Sequence, residues 1–440
     1  MCPSRHRLPG IKDRQSGQSL VLGMLLLAAA TLVVVRYFGV GQVVGARAQQ
    51  THALDAAAYS GALVQARALN LLSFINRAHV GHQVAMAHLV TLGSWAMFGG
   101  HEASRLMQGN PPAYLIAMMF GPSHGAAYAA AAMATGKQND ALAWGNLVGH
   151  YAGHDRIVHD TLVSAQQSIV SRLDQSRRAA MAQVLEASYP GQGWTLDVFD
   201  DNLSGYLAFH QGRALVPLIV QATRHFRFLD PRDETVENPW MVNPRCPHLR
   251  HELRRRGRTR LTAEGVWEST DTQSYHALRS NKWIGCYYRE YAMGWGWISG
   301  QAQPSSDMPH VDAPPDNFSQ QDFWRWVQSE TDWDLLGGQA NPLANSYAVA
   351  TRPVWLSRGL PGYYDVREPG QATAVSFSVR LRRPSANGDV MVTQSAAETF
   401  FERPQPRADR RLETQNLFNP YWHARLRASP AFRSFASGAP

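Results

Sequence analysis

The sequence is poor in charged residues, which make up 17% of its 440 residues, and acidic residues are fewer than basic ones. This composition gives no sign of a disordered chain, and the length allows two or three domains with ordinary cores. The formal net charge of +8 would point to nucleic acid in a cytoplasmic protein. In an extracytoplasmic protein it favours an anionic lipid surface or an acidic protein partner.

Long apolar runs are also few, and the clearest extends from Leu20 to Val35 without one charge. Basic residues precede it with only Asp13 to oppose them, so the positive-inside rule keeps the N-terminus in the cytoplasm. The long side chain of Arg36 can place its charge at the membrane–water interface, so the apolar helix can continue beyond this residue. We predict a basic cytoplasmic leader over residues 1–17 and a single transmembrane helix over 18–45. The anchor residues are Leu20, Leu22, Leu25, Leu27, Val33 and Val35.

Two alternatives to this topology stay open. Ala46-Arg47-Ala48 fits the small-x-small pattern of a signal-peptidase site, but it lies far from the apolar core. Residues 112–135 form a second apolar region, and a second span there would return the C-terminal half to the cytoplasm. We predict instead two short helices separated at Gly121-Pro122, because glycine and proline interrupt the helical pattern.

Cysteine is rare as well, with three residues in the chain. The predicted topology leaves Cys2 on the reducing side of the membrane and places Cys246 and Cys286 on the oxidising side. We therefore predict that Cys246 and Cys286 form a disulfide. Two separate buried thiols are the alternative.

The rest of the chain predicts an α+β fold, in which the membrane helix continues into a helical extracytoplasmic region and a mostly β distal domain follows. Proline is absent from residues 46–92, and helical spacing gives this segment a face of mostly small residues. Residues 138–189 are helical by the same criterion and supply an antiparallel partner. The predicted small-residue face consists of Ala53, Ala57, Ser60, Val64, Ala68, Leu71, Ile75 and Ala78.

Aromatic and β-branched segments separated by turn residues dominate the C-terminal half. Strands are predicted at residues 286–299, 345–356 and 373–383, and a short helix at 417–426. The expected organisation is a helical extracytoplasmic domain at 46–230, a Pro/Arg-rich linker at 231–261, a β-rich domain at 262–403 and a C-terminal tail at 404–440.

The N-terminal module resembles that of TadE/TadG-like Flp pilus-assembly membrane proteins. Arg14 and Gly17-Gln18 match the basic R-x-x-G-Q start of that family, and Asp55-Ala56-Ala57-Ala58 with Gly61-Ala62 matches its D-A-A-A segment. The resemblance covers residues 14–62. It implies a non-enzymatic component of Tad/Flp pilus assembly or a related secretion apparatus, with the inner membrane bilayer and other pilus subunits as partners.

Two departures from the family pattern narrow this expectation. Leu22 occupies the position where related pilins carry glutamate, so we predict a retained membrane helix and not a filament-building pilin core. Larger TadG proteins carry a D-x-S-x-S metal motif, and this sequence contains none. The resemblance therefore implies no metal-dependent adhesion, and we expect no cofactor.

One segment matches an enzyme motif. Gly121-Pro122-Ser123-His124-Gly125 has the G-x-S-x-G pattern of a nucleophile elbow, which requires a preceding strand and a following helix. A membrane-tethered serine hydrolase using Ser123 is thus an alternative function. A surface-binding module unrelated to pili is another.

Two further patterns have ordinary explanations. His79 with His82, and His150 with His154, form pairs on helix faces that could bind zinc between adjacent helices, but no H-E-x-x-H arrangement is present. The arginine-rich stretch from Arg245 to Arg260 lacks a recognisable nucleic-acid-binding fold and is expected to be a solvated linker. We therefore expect no nucleic-acid partner.

Overall fold

The computed structural model shows a mixed protein of helices and antiparallel sheets that begins with a long apolar helix. The residues that it describes are 18–107, 109, 111–135, 140–210, 212–224, 226–232, 234–300, 361–367, 374–384, 389–407, 410–411 and 414–428. The strand predicted at residues 345–356 lies outside these ranges.

One helix, α1 (Gln18–Met107), contains 90 residues and is therefore ~135 Å long. No proline interrupts it, so each interior backbone amide keeps its helical acceptor. The predicted continuation of the apolar helix, without a break, into the following segment is confirmed.

Two short helices follow α1. They are α2 (Ala113–Phe120) and α3 (Pro122–Thr135), and Gly121 separates them with φ +99°, a backbone angle that favours glycine. Ile116 and Phe120 of α2 and Tyr128 of α3 pack against a sheet. The predicted break at Gly121-Pro122 is confirmed, and these two helices belong to the folded body.

A second helical rod runs beside α1. It consists of α4 (Asp140–Arg156), a π-helical segment (Ile157–Val163) and α5 (Ser164–Ser188). Gln166 bonds to Asn76 of α1 with an Nε2–Oδ1 distance of 3.3 Å, while Met181 lies against Gly61. Later residues of the rod therefore meet earlier residues of α1, which confirms the predicted antiparallel pairing.

The remaining helices are short, and two four-stranded antiparallel sheets complete the structure. The helices are α6 (Leu203–Ala208) and α7 (Leu215–Thr223), with 3-10 turns at Gly212–Ala214 and Arg227–Leu229. The strands are β1 (Thr195–Phe199), β2 (Glu234–Glu237), β3 (Glu252–Leu261), β4 (Trp267–Asn281), β5 (Gly285–Ser299), β6 (Ala374–Pro384), β7 (Val390–Phe401) and β8 (Trp422–Arg427).

The two sheets pack at different heights along α1. The sheet with order β1-β6-β7-β8 contacts α1 near Gln50, whose Nε2 donates to the Met391 carbonyl oxygen at 3.2 Å, and near Asn70. We call it the proximal sheet because it is nearer the apolar start of α1. The sheet with order β2-β3-β4-β5 contacts α1 between Gln83 and Glu102, and we call it the distal sheet.

The linker expected at residues 231–261 is wrong, because β2 and β3 of the distal sheet occupy it. Residues along β3 alternate between fully and partly buried positions, and Arg255, Gly257 and Thr259 all lie on the buried side. The dense arginines suggested solvation. Strand alternation instead sends Arg255 into the interior, where the carboxylate of Asp271 compensates its charge.

The C-terminal prediction also needs correction. Residues 417–426 were expected to form a short helix in a tail, but Trp422–Arg427 form β8 at the edge of the proximal sheet. In addition, β1 lies within the region expected to be purely helical and pairs with β6. Both sheets pack on α1, so helical and β parts share their cores instead of forming separate domains.

The buried face of α1 differs from the predicted face. Leu71 and Ala78 are exposed, whereas Leu54, Ala58, Leu69 and Leu72 are buried. Gln65, Ser73 and Asn76 share the buried side. The amides of Gln65 and Asn76 donate to the distant Val375 and Leu417 carbonyl oxygens, and the Ser73 hydroxyl donates to the Leu69 carbonyl oxygen within α1. A search for apolar residues alone could not find this face.

Close backbone contact joins α1 to β5. A Cβ atom built at Gly294 would lie 3.0 Å from the Phe98 carbonyl oxygen, and one at Gly296 would overlap the Ser94 carbonyl oxygen. Glycine at these alternate strand positions therefore lets the helix backbone lie directly on the strand.

Substitution of Gly296 tests this contact. We expect Gly296→Ala to lower the free energy of unfolding by about 2 to 3 kcal/mol, because helix or strand must move to accept the methyl group. The matched control is Gly149→Ala in α4, where a Cβ meets nothing within 4 Å and helix propensity favours alanine. Urea unfolding of both variants measures the difference, and equal stabilities would contradict the close-packing explanation.

Candidate functional site

The first candidate site is the apolar start of α1. Its large side chains are exposed, with Leu27 at 72% and Val35 at 63%. Within the described residues, α1 supplies the one segment long and apolar enough to cross a membrane, and none of that segment is buried by the protein. Residues 18–45 span ~42 Å as a helix, more than the ~30 Å of a bilayer core.

The polar groups of this segment fit a lipid environment. Thr31 donates its hydroxyl to the Leu27 carbonyl oxygen at 2.7 Å, which satisfies the hydroxyl within the helix. The predicted anchor residues Leu20, Leu22, Leu25, Leu27, Val33 and Val35 are all exposed. An apolar surface of this extent requires a cover, and length and composition favour lipid.

The residues that carry the resemblance to TadE/TadG-like proteins lie in different environments. Arg14 and Gly17 lie outside the described residues, and Gln18 begins α1. Asp55 accepts a hydrogen bond from the Ser395 hydroxyl at 2.6 Å, and Ala56 is exposed. Ala57 and Ala58 are completely buried.

The alanine and glycine residues of this segment pack inside the protein. Ala57, Ala58 and Ala62 belong to a core with Leu185 and Val379, and a Cβ at Gly61 would lie 2.9 Å from Met181. The small residues thus allow α5 and the proximal sheet to approach α1. This face is covered by the same chain and is not free to contact another subunit.

A different face of α1 is exposed. Tyr59, Leu63, Leu71 and Phe74 follow one another at helical spacing on this face, with Leu63 half-buried and the other three exposed, and we call them the outer stripe. The side chains of Leu71 and Phe74 are 51% and 58% exposed. Arg67 lies within the same row and is also exposed. The stripe is thus an apolar surface with a basic side chain near its middle.

Buried polar side chains fix α1 to the proximal sheet and the C-terminal loop. Asn70 forms a pair of bonds with the Trp422 backbone, each 2.9 Å long, one donated by its amide and one accepted. Asn76 donates to the Leu417 carbonyl oxygen at 2.7 Å. Arg177 of α5 is fully buried and bonds to Gln65 at 3.0 Å and to Asp201.

The distal sheet contains a buried ionic cluster against α1. Asp271 is fully buried, and Arg232 binds both of its oxygens, at 2.8 and 3.0 Å. Arg255 lies 3.6 Å from the same carboxylate, and Ser94 of α1 donates to it at 2.8 Å. The Arg255 guanidinium also sits 4.8 Å from the centre of the Phe98 ring. One carboxylate thus compensates two buried cations.

Glu102 of α1 completes this cluster. Burial raises the pKa of Glu102 to about 8, although Arg255 and the amide of Gln273 oppose the shift. Gln273 donates to Glu102 with an Nε2–Oε1 distance of 2.9 Å. At neutral pH Glu102 therefore keeps its proton.

Sequence reasoning did not find this cluster. The signal lay in the alternation of Arg255, Gly257 and Thr259 along β3, and in the pair of glycines two residues apart in β5. Both patterns are typical of a strand face approached closely by another element. The geometry is that of an internal support, since Arg255 and Asp271 are sealed from solvent.

The histidine pairs are only partly brought together. His82 and His154 lie with their Nδ1 atoms 2.8 Å apart, so one ring donates to the other and at least one is neutral. Burial, and then the neighbouring His154, lowers the pKa of His82. Burial lowers the pKa of His79 to about 4, and this ring bonds to Gln83 at 3.0 Å. His150 is exposed.

No group of three metal-binding side chains occurs among the residues that the structure describes. The contact of His82 with His154 joins α1 to α4. Since the two rings share one hydrogen bond, protonation of both would place like charges in contact and weaken this junction.

The G-x-S-x-G segment has a different setting from a nucleophile elbow. Helix α2, and not a strand, precedes it, and Ser123 lies exposed in the first turn of α3. Gly125 is buried against α2, and a Cβ atom at this position would clash with the backbone of Ala117. The glycines of this motif therefore serve the close crossing of two helices.

Cys246 and Cys286 form a disulfide with their Cα atoms 6.1 Å apart. Cys246 belongs to the loop between β2 and β3, and Cys286 is the second residue of β5. The bond therefore joins a loop to the end of the β4–β5 hairpin.

No family model, curated protein or solved structure matches this chain. The class that the described residues define is an apolar helix continuous with a mixed helix and antiparallel-sheet body. Function must therefore be argued from surfaces and from buried contacts.

The protonation of Glu102 leads to a pH-dependent prediction. Its folded-state pKa of about 8 exceeds its ordinary value of 4.5, so the folded protein binds the proton more tightly than the unfolded chain. Stability should therefore fall as pH rises from about 4.5 to about 8, by at most about 1.4 kcal/mol per pH unit. Glu102→Gln should remove this component.

Urea unfolding of the wild type and Glu102→Gln at a series of pH values measures the slopes. Exposed Glu237→Gln in the same sheet is the matched control, and its slope should equal that of the wild type. Identical slopes for the wild type and Glu102→Gln would show that Glu102 is ionised in the folded protein.

Removal of the disulfide gives a second prediction. The bond closes a sequence separation of 40 residues, so the double variant Cys246→Ala/Cys286→Ala should lose ~3 to 4 kcal/mol of unfolding free energy through the freer unfolded chain. Cys2→Ala should have no such effect. Unfolding with and without reductant measures the loss, and insensitivity of the wild type to reductant would refute it.

Proposed function

We propose that this chain is a non-enzymatic component of a Tad/Flp-type pilus assembly or related secretion apparatus, anchored in the bacterial inner membrane and acting through protein–protein contacts. The observation that carries the proposal is the continuity of α1 from an exposed apolar segment into the centre of the body. A single rigid helix then presents one protein surface at a fixed height above a membrane.

The body is assigned to the extracytoplasmic side on two grounds. Basic residues precede the apolar segment, which by the positive-inside rule places the N-terminus in the cytoplasm. Disulfides persist in oxidising compartments, and the Cys246–Cys286 bond belongs to the body. These grounds support a periplasmic location.

The partner-binding face in this proposal is the outer stripe. The small-residue face is occupied by α5 and the proximal sheet, whereas Tyr59, Leu71 and Phe74 are exposed. A neighbouring subunit that crosses the same bilayer through a helix would hold that helix roughly parallel to α1. Such a helix can lie along the stripe and cover its apolar side chains.

Assembly through the outer stripe can be tested by piliation. We expect Leu71→Asp/Phe74→Asp to abolish pili at normal chain abundance, because two desolvated carboxylates would oppose the contact. The control is Ser171→Asp/Gln175→Asp on the exposed side of α5, which should leave piliation intact. Normal piliation in the first variant would rule out this surface.

Two results distinguish the alternative functions. Intact piliation after deletion of the chain would favour a surface-binding module unrelated to pili. Fluorophosphonate labelling that disappears in Ser123→Ala would favour the hydrolase. Reporters active only outside the cytoplasm, fused near residues 105, 195 and 430, should all be active under the proposed topology.

A further inference from the structure

The far end of the distal sheet carries large exposed apolar side chains. We call residues 238–251 and 279–289 together the distal tip. Trp283 and Ile284, in the turn between β4 and β5, are 95% and 68% exposed. Trp240 and Met241 of the neighbouring loop are also exposed. No side chain of the described body is as exposed as Trp283 among those large and apolar.

The distal tip is held in a defined shape. The backbone amides of Trp283 and Ile284 donate to the Asn281 carboxamide oxygen at 3.0 and 2.6 Å, and Gly285 closes the turn with φ +80°. Asn243 bonds to Ser280 at 2.7 Å, and the Cys246–Cys286 disulfide joins the loop to the hairpin. The apolar side chains are therefore presented by an ordered support.

The charge of the distal tip has one sign. Its two segments contain no aspartate or glutamate. They contain five basic residues, which are Arg245, Arg250, Arg279, Lys282 and Arg289. Lys282 adjoins Trp283 in the turn, and the side chains of Arg245 and Arg279 are also exposed. An apolar point with basic side chains in the same tip is complementary to a surface that is anionic outside and apolar beneath.

The distal tip points away from the membrane anchor. Along β5, Gly296 lies against Ser94 and Gly294 against Phe98, so the strand runs opposite to α1 and its first residue lies beyond the level of Glu102. Phe98 is ~80 Å along the helix from Gly45. From Gly294 to the turn, β5 extends by up to ~30 Å more. The tip cannot touch the bilayer that α1 crosses while α1 stands upright.

We propose that the distal tip docks on a second, anionic lipid surface, with Trp283 and Ile284 inserted at its interface and the five basic residues on its headgroups. The chain would then connect two membranes. This inference rests on the anchor in α1 and does not need a role in pilus assembly.

Lipid fits the tip better than a protein partner does. The apolar side chains project from the turn of a hairpin and do not line a groove, and a bilayer interface receives a projecting side chain without a matching pocket. Tryptophan is typical of that interface, because its ring is apolar while its N–H bonds to headgroups and water. Lysine and arginine beside it are attracted to anionic lipid.

Vesicle capture tests the proposal with the full chain. The protein is reconstituted through α1 into nanodiscs of phosphatidylcholine and mixed with vesicles of phosphatidylcholine alone or with an equimolar share of phosphatidylglycerol. We expect nanodiscs to float with the anionic vesicles and not with the neutral ones. Flotation should weaken as salt rises.

The decisive variant is Trp283→Ser/Ile284→Ser, which should reduce flotation by roughly tenfold or more through the loss of two inserted apolar side chains. The matched control is Val390→Ser/Leu426→Ser, an exposed apolar pair in the proximal sheet, which should float like the wild type. Both variants are first shown to unfold at the wild-type urea concentration. Equal flotation of the tip variant, or no anionic capture of the wild type, would overturn the proposal.

Two further readouts separate lipid insertion from binding of free anions. Brominated lipid in the vesicles should quench tryptophan fluorescence in the wild type and less in Trp283→Phe, and equal quenching would contradict insertion. Soluble glycerol phosphate should not compete with the vesicles. Competition would indicate a headgroup-sized pocket and would also overturn the proposal.

Discussion

The structure depends on one constraint, which is that a single unbroken helix must suit two different surroundings, an uncovered apolar surface at its start and the interior of the protein further on. The first part of α1 presents leucine and valine on all sides, whereas the part after Gln50 has a buried face, which widens until Leu92 alone is exposed between His79 and Gly100. Both sheets and the α4–α5 rod pack on that face at successive heights. Since the backbone bonds of α1 are satisfied internally, the change from one set of surroundings to the other is made by side chains alone.

The contacts of α1 beyond the membrane segment are unusually polar. Asn70, Asn76 and Gln65 bond to strands or loops, and Ser94 reaches the buried carboxylate of Asp271. Apolar packing is non-directional, so by itself it would fix the position of the sheets along the helix only weakly. Directional hydrogen bonds at fixed positions specify the register of the sheets on α1. A shifted register would leave buried polar atoms without partners, which costs free energy.

The sequence was informative where the signal was local. The long helix, the break at Gly121, the antiparallel rod and the strands β5 and β6 follow from proline content and periodicity. The linker and the tail were misjudged because burial of Arg255 and pairing of Trp422 are decided by distant partners, Asp271 and Asn70. The free face of α1 was missed because its buried face is defined by hydrogen bonds, which hydrophobic patterning does not record.

The bond between Gln50 and Met391 joins residues separated by 341 positions, and Asn70 and Trp422 are separated by 352. Such separations give the protein a high contact order. Closing these long loops costs conformational entropy before the stabilising contacts form, so we expect the core to form late in folding. During synthesis α1 emerges first and β8 nearly last. The buried face of α1 must therefore wait, without the proximal sheet, until β6, β7 and β8 have been synthesised.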